Sequence, residues 1–204
     1  MRKTLVVVCM AVALSLLATV AGAENIKGKV GVTGRIGFIV PTDSEVIAGG
    51  GLANISTDVG FTGGGGFIYG IEKYLAAELE VTHSSFGTNG GRFGIGDGNI
   101  TDISFGVQYR FPERNSLTPY VGAGLDVLIN GLDATTGSNP DVDTVAGVHA
   151  RGGIDYFLTK EFALNADAKA VLAPTADIKV LGSKVGNFDA TNFSTLFGVR
   201  FFFY

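Results

Sequence analysis

Along most of this chain, apolar residues recur at every second position, the mark of extended strands with two chemically different faces. In KVGVTGRIGFIV one face collects Val30, Val32, Ile36, Phe38 and Val40, and the other Lys29, Gly31, Thr33, Arg35 and Gly37. TDISFGVQYRF sets Ile103, Phe105, Val107, Tyr109 and Phe111 against Asp102, Ser104, Gln108 and Arg110. TVAGVHARGGIDY sets Ala146, Val148, Ala150, Ile154 and Tyr156 against His149, Arg151 and Asp155. FALNADAKAVL sets Phe162, Leu164, Ala166, Ala168 and Ala170 against Asn165, Asp167 and Lys169. The pattern predicts eight strands, at 28–40, 59–72, 76–83, 101–111, 119–130, 144–156, 162–172 and 191–203. Most match or exceed the ~9–11 residues of a tilted membrane-spanning strand.

The predicted connections alternate between long and short. Long ones, at 41–58, 84–100, 131–143 and 173–190, are rich in Gly, Asp, Asn, Ser and Thr. Short ones fall at Lys73–Leu75, Pro112–Thr118 and Phe157–Glu161. Short periplasmic turns and longer extracellular loops are the layout of an outer-membrane barrel. The expected fold is therefore all-β, an eight-stranded antiparallel transmembrane barrel with both ends of the chain at the short-turn side.

Composition supports this. Glycine, at 31 residues, suits strands whose backbones bend and approach closely, and would weaken helices. A formal charge of −4 argues against a nucleic-acid partner. At the start, MRK precedes an apolar run from Thr4 to about Val20, and Ala21-Gly22-Ala23 has the form of an export-leader cleavage site. This gives a signal peptide at 1–23 and a barrel domain at 24–204. The single cysteine, Cys9, lies in the leader, so the exported part has no thiol chemistry.

A soluble barrel would turn its apolar face inward, whereas a membrane barrel turns it outward. Tyrosine placement separates the two. Tyr69, Tyr74, Tyr109, Tyr120, Tyr156 and Tyr204 all lie beside a short turn or at the chain's end, joined by Phe201 and Phe203. Amphipathic rings gathered at one rim form a girdle at a lipid–water interface. The closing stretch NFSTLFGVRFFFY would turn Phe193, Phe197, Val199, Phe201 and Phe203 to lipid and Asn192, Ser194, Gly198 and Arg200 inward. Its aromatic end resembles the C-terminal signal read by the barrel assembly machinery, although Tyr204 is one residue out of phase.

TPYVGAGLDV at 118–127 and GIDYFLTKEFALNADAKAV at 153–171 resemble strands five to seven of OmpW-type barrels. The wider group of small OmpA-like and OmpX-like barrels shares the layout. The resemblance implies a narrow, porin-like channel for small hydrophobic solutes in a Gram-negative outer membrane. Lipopolysaccharide and outer-membrane lipid would surround it. The alternative is a non-conducting structural or adhesin-type barrel whose long loops bind a partner.

The expected lumen carries Arg35, Glu72, Glu78, Glu80, Asp102, Arg110, Asp126, His149, Arg151, Asp155, Asp167, Lys169 and Arg200. Charges of both signs at comparable depth suit either a plug of ion pairs or an electrostatic gate, since bare charges inside would be costly. Gly60, Gly64, Gly66, Gly70, Gly122 and Gly124, on the same face, either leave a channel or admit bulky neighbours. No catalytic, cofactor or metal site is expected. GGRFGIGDG lacks the strand–loop–helix setting and the Gly-Lys-Ser/Thr of a phosphate cradle. His83-Ser84-Ser85 has the spacing of a nucleophile and base, seen in the lipid A deacylase PagL, but no carboxylate that would orient the histidine.

Overall fold

The computed structural model describes residues 26–48, 51–90, 93–134, 140–180 and 182–203. Residues 1–23, expected to be a signal peptide, and Tyr204 lie outside these residues. Thirteen strands occur among them: β1 (Val30–Pro41), β2 (Ser44–Ala48), β3 (Gly51–Thr57), β4 (Gly60–Glu72), β5 (Leu75–Gly90), β6 (Phe93–Arg110), β7 (Leu117–Ala134), β8 (Asp141–Val142), β9 (Val145–Phe157), β10 (Phe162–Leu172), β11 (Thr175–Val180), β12 (Ser183–Asp189) and β13 (Asn192–Phe203). Eight of them close a ring in the order β1–β4–β5–β6–β7–β9–β10–β13, every neighbour antiparallel. Closure comes from the first and last strands, in register from Val30↔Phe203 to Pro41↔Asn192. The aromatic-rich final strand therefore has partners on both sides and leaves no open edge.

The ring is inside out compared with a soluble protein. Ile36, Phe38, Phe61, Phe67, Phe105, Leu125, Val148 and Phe197 are exposed on the outer wall, while the inner wall buries arginines and carboxylates. Among the described residues no helix is long and apolar enough to cross a membrane.

β6 and β7 each run 18 residues, on the order of 60 Å of chain at about 3.3 Å per residue. That exceeds an apolar band about 25 Å tall even with strong tilt. Their upper parts, with β5, therefore continue past the band. The connections expected as loops at 41–58, 84–100, 131–143 and 173–190 are largely paired strand instead. β3 joins β5 at Thr57↔Thr88 and pairs with β2, β2 joins β12 at Gly186↔Val46, β12 pairs with β11, and β11 holds β8 at Ile178↔Val142. This sheet, called the crown here, extends the barrel at its long-loop end.

One seam of the wall ends early. β7 and β9 pair only as far as Leu128↔Val145, whereas β6 and β7 stay paired to Gly96↔Ala134. Beyond Leu128, among the described residues, the backbone ladder of β7 continues on the β6 side only, while the segment before β9 pairs with β11 through β8.

Candidate functional site

The lumen is filled in three layers. At the short-turn end, Ile26, Ile68, Ala76 and Phe202 form an apolar stopper against Phe157. Ile26 reaches this place through a turn bonded to β4, with Gly28 N donating to Gly70 O at 2.7 Å and Gly70 N to Lys29 O at 2.9 Å. A side chain on Gly70 would collide with the Ile26 carbonyl, so glycine at this position is what lets the turn seat.

Above the stopper lies a closed ionic network. Arg200, with no exposed surface, bonds Asp155 at 2.6 Å and Glu78 at 2.9 Å, and its Nε donates to Thr33 at 2.9 Å. Arg110 donates to the same Asp155 oxygen at 2.6 Å. Arg35 pairs with Glu78 at 2.9 Å and with Glu80, and donates to Asn165 at 2.7 Å. Arg151 holds Glu78 at 2.5 Å, Glu80 at 3.0 Å and Asp167 at 2.8 Å. Neutral groups also donate to these carboxylates, while Arg110 Nε is left without a partner among the described residues. Gln108 donates to Glu78, Tyr120 to Asp167, and Asn165 to both Tyr120 and Asp155. One tier higher, Lys169 bridges Asp102 at 2.7 Å and Asp126 at 2.8 Å, and His149 Nδ1 donates to Asp126 at 2.9 Å.

These side chains come from seven of the eight barrel strands. β4 turns in only Gly60, Thr62, Gly64, Gly66, Ile68 and Gly70. Seven strands thus share one set of buried charges, and shifting any of them breaks several pairs together. The inward glycines accommodate bulk. A Cβ on Gly124 would lie 2.7 Å from the His149 ring, and one on Gly122 would lie 3.2 Å from the Arg151 side chain.

The third layer is apolar and sits under the crown. Ile39, Phe86, Ile100, Leu128, Leu132, Val142, Val171, Ala176, Ile178, Phe188 and Ala190 pack together. Phe86 of the wall and Phe188 of the crown lie nearly parallel, with centroids 6.4 Å apart. Gly98 leaves room for the Phe86 ring. Sequence periodicity gave no hint of this layer, because eight of these eleven residues come from segments that look like polar loops.

Two residues are misplaced by the sequence reading. Glu72 is not in the lumen. Its side chain is 60% exposed at the short-turn rim, paired with Lys27 at 2.8 Å. A register shift between Gly70 and Glu72 breaks the alternation there, as a β-bulge does. Tyr120 is not in the outer girdle. It is 1% exposed and points inward, with the Arg110 and Arg200 guanidinium groups 5.6 and 5.5 Å from its ring centroid. Tyr69, Tyr109, Tyr156, Phe201 and Phe203 face outward near the short turns, and Tyr74 lies half-buried 6.3 Å from the Tyr109 ring. His83 and Ser84 face opposite sides of the wall. His83 meets Thr101 outside at 2.9 Å, and Ser84 donates to Thr62 inside at 2.8 Å.

A closed eight-stranded ring, apolar outside and ionic within, with aromatic residues at one rim, defines a membrane barrel. The chain matches the outer membrane protein beta-barrel domain over residues 9–201 and belongs to that family, which places it in the outer membrane. It is similar to the uncharacterized outer-membrane protein y4mB of Sinorhizobium fredii (strain NBRC 101917 / NGR234), at 31% identity over 85 residues. That match takes in 39% of this chain and 37% of y4mB, so the chain spans little more than a third of the relative's length. Among solved structures, OprG of Pseudomonas aeruginosa superposes with a TM-score of 0.72 at 17% identity, covering 90% of this chain and 98% of OprG. AlkL in lipid bilayers superposes at 0.59 with 17% identity, covering 91% and 95%. The E. coli outer membrane protein W does so at 0.50 with 19% identity, covering 88% and 100%. The short turns accordingly face the periplasm and the crown faces outward.

Proposed function

We propose that this protein is a conduit for small apolar solutes, which enter at the crown and leave sideways through the upper wall, and that it is closed to ions. The observation carrying this reading is the change of chemistry along the lumen: a packed apolar layer at the outer end stands on an ionic floor. An apolar solute is at home among Phe86, Phe188, Leu128 and Ile178, and would have to strip several arginine–carboxylate pairs to go straight down. The β7–β9 seam beside this layer supports a lateral exit, since above Leu128 the described residues form no ladder of backbone hydrogen bonds there. His83 and Ser84, on opposite faces, give no support to a reaction site, and catalysis has no part in this reading.

A second reading, an outer platform that binds a partner, is favoured by the crown being paired strand, which presents a fixed surface.

The test combines two measurements on the purified barrel. Planar bilayers should show no stable ionic current. Liposomes carrying the protein should take up a fluorescent apolar probe faster than protein-free liposomes, and a disulfide placed across the β7–β9 seam should remove the gain. A large, steady ionic current would overturn the closed floor, and uptake unchanged by the protein would favour the platform.

A further inference from the structure

Asn130 is the polar intruder in the outer compartment. It sits on β7 between Leu128 and Leu132, directly across from Ile100 on β6, and all three belong to the apolar cluster. Asn130 is 8% exposed. Its Nδ2 donates to Asp143 O at 3.0 Å and to Leu128 O at 3.4 Å. Two carbonyl acceptors on one atom fix that atom as the amide nitrogen, so the orientation of the group is set by chemistry. Oδ1 is thereby left as an acceptor, and it receives no hydrogen bond from any described residue. Leaving a buried acceptor unmet is costly, and leucine would fill this position without that cost. The bond to Asp143 also spans the seam where β7 and β9 part, which sets Asn130 beside the lateral exit proposed above.

From this we infer that Asn130 Oδ1 is the hydrogen-bond acceptor for solutes in the outer compartment. The favoured class is then apolar molecules carrying one hydroxyl, such as phenols and hydrophobic alcohols, over hydrocarbons and ethers of the same shape. The hydroxyl donates to Oδ1, and the apolar body packs against Leu128, Leu132 and Ile100. The inference rests on the apolar-solute reading above and narrows its substrate class.

The test is binding of 1-naphthol and 1-methoxynaphthalene to the whole barrel in nanodiscs, with uptake into empty nanodiscs subtracted. The two probes share a ring system and differ in the donor. The wild-type protein should prefer 1-naphthol by about tenfold, the worth of one hydrogen bond to an otherwise unmet buried acceptor. 1-Naphthol should also shift the Asn130 side-chain amide resonance. Asn130→Leu should abolish the preference and leave 1-methoxynaphthalene affinity within about twofold. Equal affinity for the two probes in the wild type would overturn the inference and leave the apolar-solute reading standing. So would a preference that survives Asn130→Leu. If neither probe binds, both fall. The comparison in the wild-type protein decides the matter even if the variant does not fold.

Discussion

Arg151 touches three carboxylates at once, and among the described residues no other cation holds Asp167. Arg151→Ala would leave Glu78 with Arg35 and Arg200, Glu80 with Arg35 alone, and Asp167 with only the Tyr120 hydroxyl. Removing one member of a buried pair costs about 3–5 kcal/mol. A fall of that order in urea-unfolding stability, with conductance still near zero, is the expected result. A rise in conductance with little loss of stability would mean that Arg151 guards an open path. Single residues also show where the sequence could be read and where it could not. The alternation that turns Phe105 and Val107 outward turns Ser104 and Gln108 inward, and the structure places all four so. The same rule fails at Glu72, because it assumes an unbroken strand and a one-residue bulge there is silent in the sequence. Tyr120 fails differently. Its nearness to a turn suggested the girdle, but it is in phase with inward Gly122 and Gly124, and phase decides the face.

At the level of elements, the eight wall strands were legible because each is long, regular and opposed by a contrasting face. The crown was not. β11 and β12 are short, and their compositions, TADIKV and SKVGNFD, carry the Asp, Asn, Gly and Ser of ordinary loops. Only two to four residues of each turn inward, too few to establish a period. Once paired, Ala176, Ile178 and Phe188 find one another and bury the outer compartment. The crown is also tied down by charge. Lys179 pairs with Asp143 at 2.7 Å, joining β11 to the segment between β8 and β9. The hydrogen bond to the Asp143 carboxylate raises the Lys179 ammonium above its ordinary value. A raised folded value means that the pair's contribution is complete below the unfolded lysine value of about 10.4 and is lost as pH climbs through the folded one. Lysine side-chain NMR should therefore find Lys179 titrating above the ordinary lysine value of about 10.4. Asp143→Asn should lower it towards that value. An unchanged titration in that variant would show that the contact does not persist in solution.

The whole molecule balances two surfaces of opposite demand. The outer wall must suit hydrocarbon, and the inner wall must satisfy every charge it encloses, so the two faces should respond differently to the same substitution. An arginine at Val107 or Val148 stands on the apolar exterior, both positions being about half exposed on the bare protein. Near the membrane midplane this should cost about 2–4 kcal/mol and slow or prevent folding into lipid vesicles. Ser104→Arg enters the lumen beside Glu80 on β5 and Asp126 on β7, where its charge would find partners. Its penalty is steric, because the lumen is already filled. It should fold into vesicles more fully than either exterior variant, with a fall in thermal stability as the sign of overfilling. Heat-modifiable migration on gels reads the folded fraction for all three proteins in one experiment. Equal tolerance of arginine on both faces would contradict the inside-out arrangement itself, and with it both the ionic floor and the apolar compartment above it.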